Sequence, residues 1–165
     1  MKKLTLSLLL VAFVCSVGVA QGKYSTYSNA RFAYSIEYPD DLLTPSKIED
    51  GSNSGEIFHS KDKEVEMRVW GEYNALYRTW QQLYNADLKY FGNKPTYTVF
   101  KDNWYVISGM KNGKIFYQKT LRRRFKEIDV LYTFTIEYPK TEGAKFDPAV
   151  QRIAKSFKFD PAADV

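Results

Sequence analysis

Apolar and polar residues alternate along several segments of the chain, and this period of two predicts β-strands with one buried face. The alternation is clearest over residues 32–38, which end before Pro39, and over residues 64–73, where Val65, Met67 and Val69 face inward. Further strands are predicted over residues 42–48, 56–60, 96–101, 104–110, 114–122 and 126–138. Asn112-Gly113 joins two of them and is typical of a tight hairpin, because both turn residues must adopt positive φ.

Two segments change to a helical period of three or four residues. Residues 75–91 place Leu76 and Trp80 on one apolar stripe, and they predict an amphipathic helix closed by Gly92. A second helix is expected to start at Asp147-Pro148, because Asp is a favoured N-cap and Pro suits the first helical position. The element order predicts an α+β domain with one antiparallel β-sheet flanked by two helices.

The first twenty residues have the pattern of a signal peptide. Two lysines precede an apolar run over residues 4–17, and small residues follow up to Ala20. We expect cleavage between Ala20 and Gln21, which would place the protein in the periplasm or outside the cell. The apolar run is too short for a convincing membrane span. A lipoprotein with an acylated Cys15 is the competing interpretation, but Phe13 and Val14 are bulky beside the scissile bond.

The remaining chain is expected to form one domain. Residues 21–30 are predicted to be a flexible leader, residues 31–159 a single α+β domain, and residues 160–165 a frayed tail. The aromatic content of 16% argues against disorder. Loss of Lys2 and Lys3 with the signal would lower the net charge from +5 to +3, a smaller excess than nucleic-acid binders usually carry. Loss of Cys15 would leave no thiol and no disulfide.

Three segments resemble the PsbP-like and DcrB-like superfamily of exported small domains. They are the strand 32–39, the hairpin from Ser108-Gly109 to Gly113–Tyr117, and the closing segment from Tyr138 to Phe157. The resemblance covers most of residues 31–159. It implies an α/β/α sandwich in an exported or envelope protein that is not an enzyme and acts by docking to a partner. No catalytic residue is general to that superfamily, so the resemblance assigns none to this chain.

The sequence contains few of the residues and motifs typical of catalytic or metal-binding sites. His59 is the only histidine, and the chain has no Gly-x-Ser-x-Gly motif in which a serine nucleophile would sit. Zinc-ligand spacing and a glycine-rich phosphate loop are also missing from the sequence. We therefore predict no catalytic residues, no metal site and no cofactor.

Two features could form a binding surface. Residues 111–126 contain seven basic residues and no acidic one, and strand alternation puts most of their polar side chains on one face, which only Phe116 interrupts. That face is either solvated or a contact surface for an acidic protein, an anionic lipid or a polysaccharide. Trp70 falls on the charged face of its strand, where it either packs under another element or anchors a partner. The candidate partner-binding residues are Lys114, Arg122, Arg124, Lys126 and Trp70.

Three functions remain open. The first is an exported, non-catalytic binding or scaffold protein that docks on a protein partner of the cell envelope, expected to be acidic. The second is an immunity or inhibitor protein that neutralises a secreted toxin, and the third is an enzyme of unrecognised type. Weak contact with an anionic membrane surface is compatible with the basic segment, whereas nucleic-acid binding is not expected. The sequence leaves the oligomeric state open.

Overall fold

The computed structural model of the protein describes residues 22–47, 51–92 and 95–165. The predicted signal peptide and the cleavage junction at Ala20 and Gln21 lie outside the described residues. The strands are β1 (Tyr24–Asn29), β2 (Tyr34–Pro39), β3 (Thr44–Lys47), β4 (Gly55–His59), β5 (Glu66–Tyr73), β6 (Tyr97–Phe100), β7 (Trp104–Lys111), β8 (Lys114–Phe125), β9 (Ile128–Pro139) and β10 (Lys158–Phe159). The helices are α1 (Trp80–Tyr90) and α2 (Gly143–Ser156), and a short 3₁₀ helix spans Lys140–Glu142.

The strands form two antiparallel sheets. The larger has the order β3-β4-β5-β9-β8-β7-β6, and the smaller has the order β1-β2-β10. Helix α1 packs on one face of the large sheet, and α2 packs with the small sheet on the other. The predicted α+β class with two flanking helices is confirmed, but a second sheet replaces the expected single one. The second sheet forms because β2, predicted over residues 32–38, pairs with β1 and β10 and not with the main sheet.

Two apolar clusters hold these layers together. The larger lies between the main sheet, α2 and the small sheet, and buries among others Phe58, Met67, Tyr132, Phe134 and Ile153. The smaller lies under α1 and consists of Trp80, Phe91, Tyr105, Ile107, Phe116 and Leu131. The inward face predicted for residues 64–73 is confirmed, since Val65, Met67 and Val69 are fully buried.

The predicted flexible leader is wrong. Residues 24–29 form β1, which pairs along its whole length with β2. The ring of Tyr27 makes an edge contact with Phe58 at 6.0 Å, so the strand also packs on the core. The polar composition of this segment conceals the strand, because the ladder to β2 satisfies its backbone groups whatever its side chains are.

Helix α1 starts later than the apolar stripe predicts. Its N-cap is Thr79, whose hydroxyl accepts the N–H of Gln82 while the Gln82 side chain accepts the N–H of Thr79. The preceding residues form a loop, so Leu76 is 73% exposed and does not belong to the buried stripe. The reciprocal cap stops the helix at Thr79, although the apolar spacing continues one turn further back.

Both ends of the C-terminal segment also differ from expectation. Helix α2 starts at Gly143, so Pro148 lies inside it, and Asp147 accepts the Tyr138 hydroxyl at 2.7 Å and does not cap the helix. The tail is not frayed as predicted, because Arg123 donates from Nη2 to the carbonyl oxygens of Pro161 and Ala163 at 2.9 and 2.6 Å. The guanidinium thus ties residues 160–165 to the sheet.

Candidate functional site

The structure divides the basic face predicted on β8. Lys114 and Arg122 do point to the same side of the sheet, but α1 covers the strand between them and buries Phe116, Gln118 and Thr120. Eight residues of strand separate the two charges, roughly 26 Å at the usual rise. The expectation of one continuous basic surface is therefore wrong, because alternation assigns a face without telling what packs on it.

Lys114, at the start of β8, is engaged within the protein. Its ammonium group lies 3.6 Å from the Glu64 carboxylate and donates to the Glu64 carbonyl oxygen at 2.7 Å. The pair is largely solvent-exposed, so it adds little stability. Glu64 of the same chain thus already contacts Lys114, the residue predicted to bind a partner.

Arg122 and Arg124 project together at the other end of β8, with Asp129 of β9 between them. The Asp129 carboxylate lies 3.9 Å from the Arg122 guanidinium and 3.4 Å from that of Arg124. Arg122 also donates to the Asp102 carbonyl oxygen at 2.6 Å and lies 4.9 Å from the Trp80 ring centre. Arg122 is thus part of the packing under α1, whereas the Arg124 side chain is 63% exposed.

Lys126 lies beyond the strand, in the turn between β8 and β9. Its φ is +53°, a left-handed conformation that fits a tight turn, and its ammonium group lies 4.9 Å from the centre of the Phe125 ring. It does not share the strand face of Arg122 and Arg124, but it is exposed at the same end of the sheet. We call Arg122, Arg124 and Lys126 the basic end.

A loop that the residue pattern predicts to be helical lies beside the basic end. Residues 74–79, which we call the Asn74 loop, are fixed by Asn74, whose side chain accepts the Arg78 N–H at 3.1 Å and donates to its carbonyl oxygen at 2.7 Å. The Asn74 N–H donates to the Asp129 carbonyl oxygen at 2.8 Å. One residue, Asp129, therefore ties the loop backbone to both arginines.

The Asn74 loop presents apolar side chains to solvent. Leu76 is 73% exposed and Tyr77 is 74% exposed. Tyr77 has a φ of +48°, a conformation that is strained for an aromatic residue and persists only when its surroundings enforce it. Sequence reasoning missed this loop because Leu76 fits the helical spacing. The Thr79-x-x-Gln82 capping box was the motif that could have revealed it.

Trp70 lines a groove between β5 and α1. The groove encloses about 470 Å³, and its wall on the helix side is formed by Asp87 and Tyr90 of α1 and by Phe91, which follows α1. The Trp70 ring is half-buried, and its indole N–H donates to the Glu72 carboxylate at 3.0 Å. Trp70 is thus neither packed beneath another element nor fully exposed.

Asp87 is the most unusual titratable group of the groove. Its carboxylate accepts the Tyr105 hydroxyl at 2.5 Å and the Gln118 side-chain amide. Burial raises the pKa of Asp87 above its ordinary value, although both donors act in the opposite direction. The same burial raises the pKa of Tyr105. The contacts make Asp87 a link between α1 and the sheet, since its hydrogen bonds go to neighbouring strands.

His59 lies 3.9 Å from the Glu66 carboxylate near the rim of the main sheet. Within residues 22–47, 51–92 and 95–165, no three His, Cys, Asp or Glu side chains lie together in a metal-binding arrangement. Over the same ranges, no helix is long and apolar enough to cross a membrane.

Comparison by sequence finds no match, either among protein-family models or among curated proteins. Comparison with solved structures finds proteins of similar fold. Cyanobacterial PsbP (CyanoP) from Synechocystis sp. PCC 6803 is similar with a TM-score of 0.63 and 13% identity, over 87% of this chain and 96% of that one.

Two further structures have a TM-score of 0.50. One is LpqN, described as involved in cell envelope biogenesis of Mycobacterium tuberculosis, at 14% identity over 84% of this chain and 91% of that one. The other is the Ran-binding protein Mog1p of Saccharomyces cerevisiae, at 11% identity over 84% and 96%. At such low identity the likeness concerns the fold. Together with the two sheets, the two helices and their order, it shows that the chain has a PsbP-like α+β fold.

Proposed function

We propose that this protein is an exported, non-catalytic binding protein that docks on a protein partner of the cell envelope. The observation that carries the proposal is the Asn74 loop, which holds Leu76 and Tyr77 exposed beside the basic end, with a strained backbone at Tyr77. We propose that the loop and the basic end together form the docking surface.

The side chains of this surface suit protein recognition. Tyrosine and arginine are enriched among the residues that carry most binding energy, and a rigid aromatic side chain loses little entropy on binding. The left-handed backbone at Tyr77 costs about 1–3 kcal/mol, which the Asn74 hydrogen bonds offset. A preorganised loop of this kind reduces the entropy that a partner must remove.

The charges favour an acidic partner. Arg122 and Arg124 share the single carboxylate of Asp129, so this group keeps a positive charge, while the charge of Lys126 is offset by the neighbouring Glu127. The exposed side of Arg124 is open to a second carboxylate, which a guanidinium can bind with two hydrogen bonds. The partner we propose has an apolar pocket for Tyr77 with acidic residues at its rim.

Export rests on the sequence of residues 1–20, and the similarity of LpqN supports a role in the envelope. The mature protein should begin at Gln21, as a mass spectrum of the purified protein would show. An intact Met1 would contradict export, and a diacylglycerol on Cys15 would contradict release from the membrane.

The docking surface can be tested by crosslinking in the native cells and counting the captured partner. Tyr77→Ser should reduce capture strongly, whereas Tyr90→Ser should not, because Tyr90 is similarly exposed at 67% but lies at the opposite end of α1. Arg124→Gln should reduce capture and its salt dependence, with Lys155→Gln on α2 as the matched charge control.

Arg122 is unsuitable as a charge probe, because its removal would also disturb Trp80 and the Asp102 carbonyl. Equal capture by Tyr77→Ser and Tyr90→Ser would contradict the docking surface. Capture of one stoichiometric toxin would favour the immunity function, and capture of a resident envelope complex would favour the scaffold.

A further inference from the structure

The two edges of the large sheet differ in how they are protected. Strand β3 carries Pro45, which has no amide hydrogen to offer a further strand. Strand β6 at the other edge has the sequence Tyr-Thr-Val-Phe, with neither a proline nor a charge, and three of its four side chains are exposed. Within the described residues no strand lies beyond β6. An unprotected edge of this kind is a template for pairing with another chain.

The pairing of β6 with β7 fixes which backbone groups face outward. The Lys101 N–H donates to the Trp104 carbonyl oxygen at 2.9 Å, and residue pairing continues from Phe100 with Tyr105 to Tyr97 with Ser108. Hydrogen-bonding and non-bonding residues alternate in an antiparallel ladder. The N–H and C=O groups of Thr98 and Phe100 therefore point to the open edge.

We propose that two copies of this chain form a dimer by antiparallel pairing of their β6 strands. Val99 would face Val99 of the second copy across the two-fold axis, so that Thr98 of each copy pairs with Phe100 of the other. This register makes four backbone hydrogen bonds and joins the two large sheets into one. It goes beyond the proposed docking function and does not depend on it.

Side-chain chemistry favours a second copy as the occupant. In this register Tyr97 lies directly opposite Lys101 of the second copy, and Lys101 lies opposite Tyr97 of the second copy. Both side chains are exposed in one chain, so the ammonium can lie over the aromatic ring in the dimer. A two-fold symmetric interface requires such self-complementarity.

Helix α1 supplies the additional contact area that a four-residue strand lacks. The helix lies over β7 and β8, and its Trp80 and Tyr84 rings reach β6, 6.0 and 4.7 Å from the Phe100 ring. Asp87 faces the groove on the other side, and the helical period then turns Gln81 and Asn85 toward the edge. These two exposed side chains are uncharged and bond to each other at 2.9 Å. Depletion of charge is typical of interface centres, and two α1 helices would meet here.

The mass of the purified mature protein, measured by light scattering over a wide range of concentrations, tests the dimer. The native protein should have twice the mass of one chain. Val99→Lys should make it monomeric, because two ammonium groups would oppose each other across the axis. Ser46→Lys on the other edge strand is the matched control and should remain dimeric.

A crosslink tests the register independently of stability. Mature protein starting at Gln21 has no cysteine, so Val99→Cys introduces a single thiol that faces its own copy across the axis. Mild oxidation should convert this variant to a covalent dimer, while Thr98→Cys, whose counterpart is Phe100, should crosslink far less. A native protein that is monomeric at every concentration, or equal crosslinking of the two cysteine variants, would overturn the proposal.

Discussion

Trp80 and Leu76 belong to one apolar stripe in the sequence, but the structure predicts a loss of stability only when Trp80 is truncated. Trp80 is 8% exposed, lies 4.7 Å from the Tyr105 ring, and donates its indole N–H to the Lys101 carbonyl oxygen at 2.7 Å. Leu76 lies in the Asn74 loop and contacts mainly solvent. Trp80→Ala should therefore destabilise the fold, and Leu76→Ala should not.

The expected cost of Trp80→Ala follows from this burial. Truncating a buried tryptophan costs about 3–5 kcal/mol, a large share of the roughly 5–15 kcal/mol that stabilises a domain. The melting temperature should fall by roughly 6–20 °C for a chain of this length. Leu76→Ala should change the free energy of unfolding by less than about 0.5 kcal/mol, as is usual for exposed positions.

Thermal unfolding followed by circular dichroism measures both variants under the same conditions. Equal losses in the two variants would mean that Leu76 is packed and that the helix begins near residue 75. An unchanged melting temperature for Trp80→Ala would refute the packing of α1 on the sheet.

Three other predictions concern the core, the groove and the tail. Gly71→Ala would place a methyl group 2.6 Å from the Phe32 ring, so the urea midpoint should fall by the equivalent of about 1–3 kcal/mol; an unchanged midpoint would contradict the close approach. Because burial raises the pKa of Asp87, the folded state binds this proton more tightly than the unfolded state does. The contribution of Asp87 to the free energy of unfolding therefore falls as the pH rises past 3.8, the ordinary pKa of the group. Asp87→Asn should remove that decline in unfolding free energy, and identical pH profiles would argue against it. Arg123→Gln should release residues 160–165 to carboxypeptidase faster than in the native protein, and equal digestion rates would rule out the clamp.

The parts of the fold that the sequence predicts are those where burial alone sets the residue pattern. Met67 and its neighbours are buried on one face only, so their period of two identifies β5. Asn112 and Gly113 have φ values of +52° and +80°, and the hairpin is confirmed because few other residues adopt both readily.

Where packing between elements decides whether a strand forms or a side chain is buried, the sequence pattern alone does not predict the result. Strand β1 has no apolar period, since its pairing with β2 rests on backbone hydrogen bonds. Gln118 and Thr120 look like surface residues, but α1 buries them, and Gln118 donates to Asp87. Helix α1 therefore separates Lys114 from the other basic residues of the candidate surface. Arg122 and Arg124 do lie on the same side of β8, as the alternation predicts. Leu76 and Tyr77 join the candidate site only once the true start of α1 is known.

Binding of a partner at the Asn74 loop can be tested with a photo-crosslinking amino acid. A photoreactive phenylalanine analogue at Tyr77, introduced in the native cells, should crosslink in high yield to one acidic partner protein on illumination. The same analogue at Tyr90, which is almost as exposed but lies at the far end of α1, should give little of that product. Equal crosslinking from both positions, or none from Tyr77, would contradict docking of the partner on the Asn74 loop.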